Sequence, residues 1–298
     1  MVDTMGVTQS ANFIPELWAN SALGKLDAEL NLAKNVARDF EFVSAQEGDT
    51  IHIPVRGSLS ANAKVSGTGV TLQNPTATKV DVTLDQHFEV TFAVDDIAKA
   101  QANQDIMNGY IEDAVSVLAE KIETALASLY GSLTGAVINS AGGDIVEDDI
   151  LDSREALTNA RAPRTNRFLY LDPSQVNVLL KLERFTTPEK YGSGMPVQEG
   201  ELGKIHGFRV FESLFVQSAG SPSLVQNIAM HRNAMVLAMR PLPEPKAPGA
   251  VATVIEKDGL GIRVVYSYNA DQLADQVTLD VLYGVGVLRS AQGMVVRS

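Results

Sequence analysis

The sequence contains no cysteine and only one tryptophan among its 298 residues. Without cysteine the chain has no disulfide bond, no thiol nucleophile and no zinc or iron–sulfur site built on thiolates. It also lacks any run of about 18 apolar residues, the length that a membrane-spanning helix requires. The opening residues have neither the basic nor the apolar region of a secretory signal peptide. These absences predict a soluble protein that is made in a reducing compartment.

Positive charge is scarce as well. Lysine and arginine number 24 against 36 aspartates and glutamates, which gives a formal net charge of −12 at pH 7. Because broad electrostatic binding of nucleic acid or of an anionic membrane needs an excess of Lys and Arg on one face, this balance argues against both partners. Hydrophobic residues make up 45% and charged residues 20%, which is typical of a globular chain that buries a core.

The residues that usually carry chemistry do not form a recognisable active site. The four histidines share no metal-ligand spacing and no HExxH pattern; they are His52, His87, His206 and His231. Gly203 and Lys204 suggest a phosphate-binding loop, but Ile205 follows where Ser or Thr would hold Mg²⁺. No GxSxG motif occurs. We therefore expect no catalysis, no cofactor and no metal, with an acidic hydrolase built on two inward carboxylates as a distant alternative.

Two charged clusters lie close together in the sequence. Glu147, Asp148 and Asp149 favour the start of a helix, where the dipole attracts negative charge, over a calcium loop, which would need a glycine at a set spacing. The only basic cluster is Arg161, Arg164 and Arg167. Since no aromatic residues alternate with these arginines for base stacking, pairing with acids of a neighbouring subunit is favoured over nucleic-acid contact, and both stay open.

The first third of the chain predicts two projecting segments. Residues 1–45 are typical of an N-terminal arm that packs on a neighbour or across its own domain. Residues 46–94 contain two strands of alternating polarity around the polar stretch SLSANAKVSGTGVTLQNPTATK. Hairpin loops usually have about 2–5 residues, so this one predicts a long two-stranded tongue that reaches away from the core. An isolated ribbon is marginal in water, so we expect something outside the subunit to cover it.

The remaining sequence predicts one long helix and then mixed structure. Apolar residues recur at a three-to-four spacing from Met107 to Leu129, which predicts an amphipathic helix of roughly 25 residues, about 40 Å long. Its outer face is expected to carry charged residues, including Glu120 and Glu123. Residues 145–247 predict a separate α/β unit. After a proline-rich joint, 248–298 predict strands that return to pack against the helix.

Three motifs in the second half have a familiar order. A strand that ends in proline is followed by a helix in LYLDPSQVNVLLKLERF, then come GELGKIHGFRVFES and NIAMHRNAMVLAM. The middle motif holds a glycine turn formed by Gly200, Leu202, Gly203, Ile205, Gly207, Phe208 and Val210. With the arm, tongue and long helix before them, these motifs resemble the major capsid protein of tailed bacteriophages over nearly the whole chain.

This resemblance implies an α+β Hong Kong 97-like capsid fold. It divides the chain into an N-terminal arm (1–45), an extended loop with its flanking strands (46–94), the spine helix of a peripheral domain (95–144), an axial domain (145–247) and returning peripheral strands (248–298). The implied function is structural: the protein assembles in the host cytoplasm into pentamers and hexamers that form the icosahedral shell of a virion around double-stranded DNA. The implied partners are further copies of the chain, a portal and a decoration protein, with no membrane contact.

The same resemblance bears on scaffolding, cross-linking and interfaces. Family members often carry a long scaffolding region ahead of the arm, so here scaffolding is expected to be a separate protein or to be unnecessary. Lys64 and Lys79 lie in the loop, but no asparagine partner for a covalent cross-link is evident, and we predict none. The residues expected at assembly interfaces are Trp18, Lys64, Lys79, Arg161, Arg164 and Arg167. An encapsulin-like nanocompartment is the alternative with the same fold, although no cargo groove is readable and the long tongue suits a phage better.

Overall fold

A computed structural model of the chain describes residues 19–26, 30–38, 50–55, 59–74, 78–95, 104–181, 203–245, 250–257, 260–269 and 274–298. Trp18, and Gly200 and Leu202 of the glycine turn, lie outside these residues. The helices are α1 (residues 19–26), α2 (Leu32–Asn35), α3 (Gln104–Ser128), α4 (Glu147–Asn159) and α5 (Pro173–Leu180). The strands are β1 (Thr50–Val55), β2 (Thr78–Thr83), β3 (Gln86–Asp95), β4 (Val137–Ile138), β5 (Arg167–Leu171), β6 (Lys204–Ile205), β7 (Phe208–Glu212), β8 (Ser218–Ala219), β9 (Leu224–His231), β10 (Met235–Met239), β11 (Ala250–Lys257), β12 (Leu260–Asn269), β13 (Ala274–Val287) and β14 (Gly293–Arg297).

The long helix predicted from the apolar spacing is confirmed as α3, with 25 residues. It begins at Gln104, whereas Asp95, the first residue of the segment 95–144 assigned to the spine helix, is the last residue of β3. The helix packs on β3 and β13 and against α2, so it is covered from two directions. Its buried arc includes Glu123, which is 1% exposed, and the prediction that Glu123 lies on the outer face is wrong. Helix α2, which belongs to the predicted N-terminal arm, packs over the side of α3 that carries Glu123.

A five-stranded sheet forms the floor beneath α3. The long strand β13 is antiparallel to β3, β10 and β12, and β11 pairs with β12 at the edge. Leu260, Ile262, Val277 and Leu279 point into the core that the sheet shares with α3. Of the strands that the alternating pattern predicts in 248–298, β13 packs against α3, and β12 adds Leu260 and Ile262 to the same core.

A second sheet of seven strands runs in the order β4-β14-β9-β5-β7-β6, with β8 added to β9. Helices α4 and α5 supply Ile150, Leu157 and Val176 to its core. The predicted hairpin around Gly207 is confirmed: β6 and β7 are antiparallel, with Ile205 opposite Phe208. Gly207 has φ 95°, in the left-handed region that glycine adopts without a Cβ clash.

Two strands lie in a different sheet from the one that the sequence pattern suggested. NIAMHRNAMVLAM, predicted as a helix or a strand within 145–247, forms β9 in the seven-stranded sheet and β10 in the five-stranded sheet. At the C-terminus β14 pairs with β9 and β4, so it does not join β11 to β13. An alternating pattern fixes which side chains share a face but not which strand lies alongside.

Candidate assembly surfaces

The segment predicted as a long two-stranded tongue is exposed at every position of its described part, residues 59–74, but it is two-stranded only at its base, where β1 pairs with β2. We use "tongue" for these residues from here on. Several of its exposed side chains are large and apolar: Leu59, Val65, Val70 and Leu72, the last being 91% exposed. Single exposed apolar residues are ordinary, but a projecting segment that holds several of them is typical of a surface that another molecule covers.

The tongue holds itself together with few contacts. No strand ladder joins its two sides within 59–74. The side chain of Gln73 takes the place of one backbone hydrogen-bonded pair. Its Oε1 accepts the backbone N–H of Ser60 at 2.9 Å, and its amide donates to the carbonyl oxygen of Ser60. At the tip the Thr68 hydroxyl donates to the Val65 carbonyl at 2.8 Å. These polar contacts keep the two sides together without burying apolar surface.

The base of the tongue, in contrast, is anchored in the subunit. Strands β1 and β2 pair antiparallel from Thr50 opposite Thr83 to Val55 opposite Thr78. The inner face of this ribbon forms a small core against β10; its buried members are Ile51, Ile53, Val82, Leu84, Val236 and Ala238. The ribbon therefore leaves the subunit from a fixed position.

Lys64 and Lys79, both expected at interfaces, are exposed. Lys79 forms an ion pair with Asp81, with 3.1 Å between Nζ and Oδ2, and His52 Nδ1 lies 2.5 Å from the other oxygen of Asp81. The hydrogen bond with His52, and then the one with Lys79, lowers the pKa of the Asp81 carboxyl. Lys64, on the tongue, has no such partner among the described residues, and its role at an interface stays a prediction.

The arginines expected at an interface separate into two classes. Arg161 and Arg164 are exposed on the loop that follows α4, and they remain candidates. Arg167 is 3% exposed. Its guanidinium donates to the carbonyl oxygens of Pro163 and Ala162, each at 2.8 Å. The proposal that Arg167 pairs with a neighbouring subunit therefore does not agree with the structure, because the side chain holds its own loop.

Three arginines that the sequence analysis did not single out lie near Arg167; they are Arg154, Arg232 and Arg289. Burial lowers the pKa of Arg167, and the charges of Arg154 and Arg164 add to this effect. Burial also lowers the pKa of His231, with further contributions from Arg167, Arg289 and Arg232. These residues come from α4, the loop after it, the start of β5, the end of β9 and the turn after it, and the segment before β14. Because they are distant in the sequence, no local pattern could reveal that they meet.

No group of three or more His, Asp or Glu side chains suited to a metal ion occurs in the described ranges. Within those same ranges, no helix has the length and apolar character needed to cross a membrane.

Comparisons with known proteins place the fold. No protein-family model matches the chain, and no curated protein sequence matches it significantly. A structure from Mycobacterium phage Che8 is 20% identical to the chain, with a TM-score of 0.66 over 90% of both chains. The capsid of Ralstonia phage GP4 is 11% identical, with a TM-score of 0.61 over 90% of this chain and 88% of that chain.

A virus-like particle from Pyrococcus furiosus is 12% identical, with a TM-score of 0.52 over 94% of this chain and 98% of that chain. At these identities the likenesses show the fold. The chain has the fold of phage major capsid proteins, and the predicted Hong Kong 97-like architecture is confirmed.

Proposed function

We propose that this chain is a major capsid protein, a structural and non-catalytic subunit that binds copies of itself to form a closed shell. The observation that carries the proposal is the tongue, which is exposed at every described position while its base is fixed in the subunit core. A projecting segment with exposed leucine and valine side chains gains stability when a neighbour covers it. The likeness to the solved capsid of a Ralstonia phage supports the same conclusion.

Open sheet edges support self-association as well. Among the described strands β11 pairs only with β12, so one long edge of the five-stranded sheet has backbone groups available. Such edges are usually paired or covered in the functional assembly. Many weak contacts of this kind become strong together once a ring has formed, because each further contact is made at high effective concentration.

We propose further that the subunits form pentamers and hexamers of an icosahedral virion shell that encloses double-stranded DNA without reading its sequence. The net charge of −12 suits a wall that does not hold the packaged DNA tightly. A separate scaffolding protein, a portal and a decoration protein are the proposed partners, and the host cytoplasm is the proposed place of assembly.

A cellular nanocompartment is the second candidate. It has the same fold, and the likeness to the virus-like particle from Pyrococcus furiosus, which spans nearly the full length of both chains, supports a closed particle without indicating its contents. A virion shell and a compartment differ in their contents, because a virion holds DNA and a compartment holds protein cargo.

The test is to express the full chain, alone and together with a candidate scaffolding protein, and to image the particles by electron microscopy. We expect closed shells, with amide hydrogen exchange at 59–74 slow in shells and fast in free subunits. A subunit that never assembles and whose tongue is already protected from exchange contradicts the proposal. Nuclease-protected DNA in shells from infected cells supports the virion, and shells that hold protein alone support the compartment.

A further inference from the structure

The seven-stranded half of the subunit carries a cationic surface that has no counter-charges among the described residues. We call Arg154, Arg161, Arg164 and Arg289 the arginine patch; all of them are exposed. Arg167 donates to the carbonyl oxygen of Arg154 at 3.3 Å and lies opposite His231 in the sheet, next to Arg232. The backbone N–H of Arg289 donates to the carbonyl oxygen of Ala234, two residues after Arg232. None of the patch residues forms an ion pair with any part of the chain that the structure describes, although the protein has 36 acidic residues. Such a concentration of like charge favours an anionic partner.

The complementary surface lies on another face of the same helix. Asp148, Asp152 and Glu155 are exposed and spaced by four and three residues, so they follow one side of α4; we call them the acidic stripe. Ile150, Ser153 and Leu157 form the buried side. The stripe residues form no ion pair within the described chain either.

The helix keeps the two charged surfaces apart. At about 100° per residue, Arg154 lies roughly 120° around α4 from the acidic stripe. Arg161 and Arg164 follow the C-terminal end of the helix, on a loop that Arg167 fixes through its backbone hydrogen bonds. One copy therefore presents both charges in different directions, and neither surface neutralises the other within the subunit.

Resting on the proposed self-assembly, we propose that the arginine patch of one subunit binds the acidic stripe of the next copy in the same ring. Because the two surfaces differ, the contact is head-to-tail, and head-to-tail contacts generate closed rings when the rotation closes. A row of carboxylates fits the patch better than a DNA backbone does, since the surrounding chain is strongly acidic and would repel a long polyanion. The pairing sets which edge of a subunit meets which edge of its neighbour.

The experiment reverses charges in the full-length chain under conditions in which the wild type forms shells. Single exposed ion pairs contribute weakly, so each variant changes two residues. R161E/R164E and D148K/D152K should each reduce the yield of closed shells at least tenfold, and the combined variant should restore most of it. K181E/R209E is the matched control, because both residues are exposed and the charge change equals that of R161E/R164E.

Thermal unfolding of the free subunits checks that every variant folds. Shells of R161E/R164E in wild-type yield would overturn the pairing and leave the proposed function intact. Loss of shells in both double variants, without rescue in the combined variant, would also overturn the pairing. Shells of R161E/R164E that form normally but lack DNA would overturn it too, because they would show that the patch binds phosphate groups. Absence of shells in the wild type itself would instead contradict the proposed function.

Discussion

The carboxylate of Glu123 accepts the backbone N–H of Leu32 at 2.9 Å, and so joins two residues that are 91 positions apart. The same carboxylate accepts the N–H groups of Asn31 at 2.9 Å and Ala33 at 3.0 Å. The first N–H groups of a helix have no partner inside the helix, and Glu123 supplies acceptors for those of α2. Burial raises the pKa of Glu123, and these hydrogen bonds oppose the shift. One side chain of α3 thus fastens α2 to the rest of its own subunit.

Replacement of this carboxylate should loosen the arm. Glu123→Gln keeps the size of the side chain, but its NH₂ group faces backbone donors, so at least one buried N–H loses its acceptor. We expect the free energy of unfolding to fall by about 1–3 kcal/mol, measured by chemical denaturation. Glu120→Gln on the exposed side of the same helix is the control and should change stability by less than about 0.5 kcal/mol. Equal effects of the two variants would contradict the role of Glu123.

A close backbone approach fixes the base of the tongue on β13. A Cβ atom added at Gly284 would lie 2.2 Å from the carbonyl oxygen of Thr83, which no rotamer change can relieve. Gly284→Ala should therefore push the β1–β2 ribbon away and lower the free energy of unfolding by about 1–3 kcal/mol. Gly131→Ala, where no heavy atom lies within 4 Å, is the control. A stable Gly284→Ala subunit with wild-type hydrogen exchange in β2 would show that the ribbon is not held here.

The tongue should be dispensable for folding and necessary for assembly. Val55 and Thr78 form the last pair of the ribbon, so replacing residues 56–77 with Asn-Gly closes the hairpin with a favoured two-residue turn. Because residues 59–74 bury nothing in the subunit, we expect the thermal unfolding temperature to stay unchanged and closed shells to disappear in electron micrographs.

Either opposite result is informative. A large drop in unfolding temperature would place the tongue in the subunit's own core. Shells in normal yield would show that neighbours do not depend on it.

Stability should decrease in mild acid because of His231. Its pKa in the folded protein is lowered by burial and then by the nearby arginines, so the unfolded chain binds the proton more readily. The His231 contribution is complete above the unfolded pKa of about 6.5 and is lost as the pH falls below it. Urea unfolding of the subunit should show a lower midpoint at about pH 5.5 than at about pH 7.5.

His231→Asn tests the assignment. Its Oδ1 can still accept the N–H of Asn233, which reaches His231 Nδ1 at 3.2 Å, but the side chain no longer titrates. The loss of stability between the two pH values should become smaller in this variant. An unchanged loss would assign the pH dependence to other groups.

Local patterns were enough to predict much of the fold. The steady apolar spacing predicted α3, because a helix with one buried face repeats its apolar residues every three to four positions. The alternating strands around a long polar stretch predicted a projecting segment between two strands, but not that its base packs on β10 of the same subunit. Of the candidate interface residues, Lys64, Arg161 and Arg164 are exposed on loops and Lys79 is exposed on β2, and their role at an interface stays a prediction.

The sequence by itself determined that this chain has no thiol chemistry, an acidic surface, one long helix and a segment too polar to bury itself. Only the tertiary structure decided that Glu123 and Arg167 are buried. Glu123 is held by backbone N–H groups about 90 residues away, and Arg167 folds back onto the carbonyl oxygens of the loop just before it. The tertiary structure also decided that β10 and β14 change sheets and that the arginine patch forms. Periodicity is a property of one segment, whereas burial and charge clustering depend on which segments meet in space.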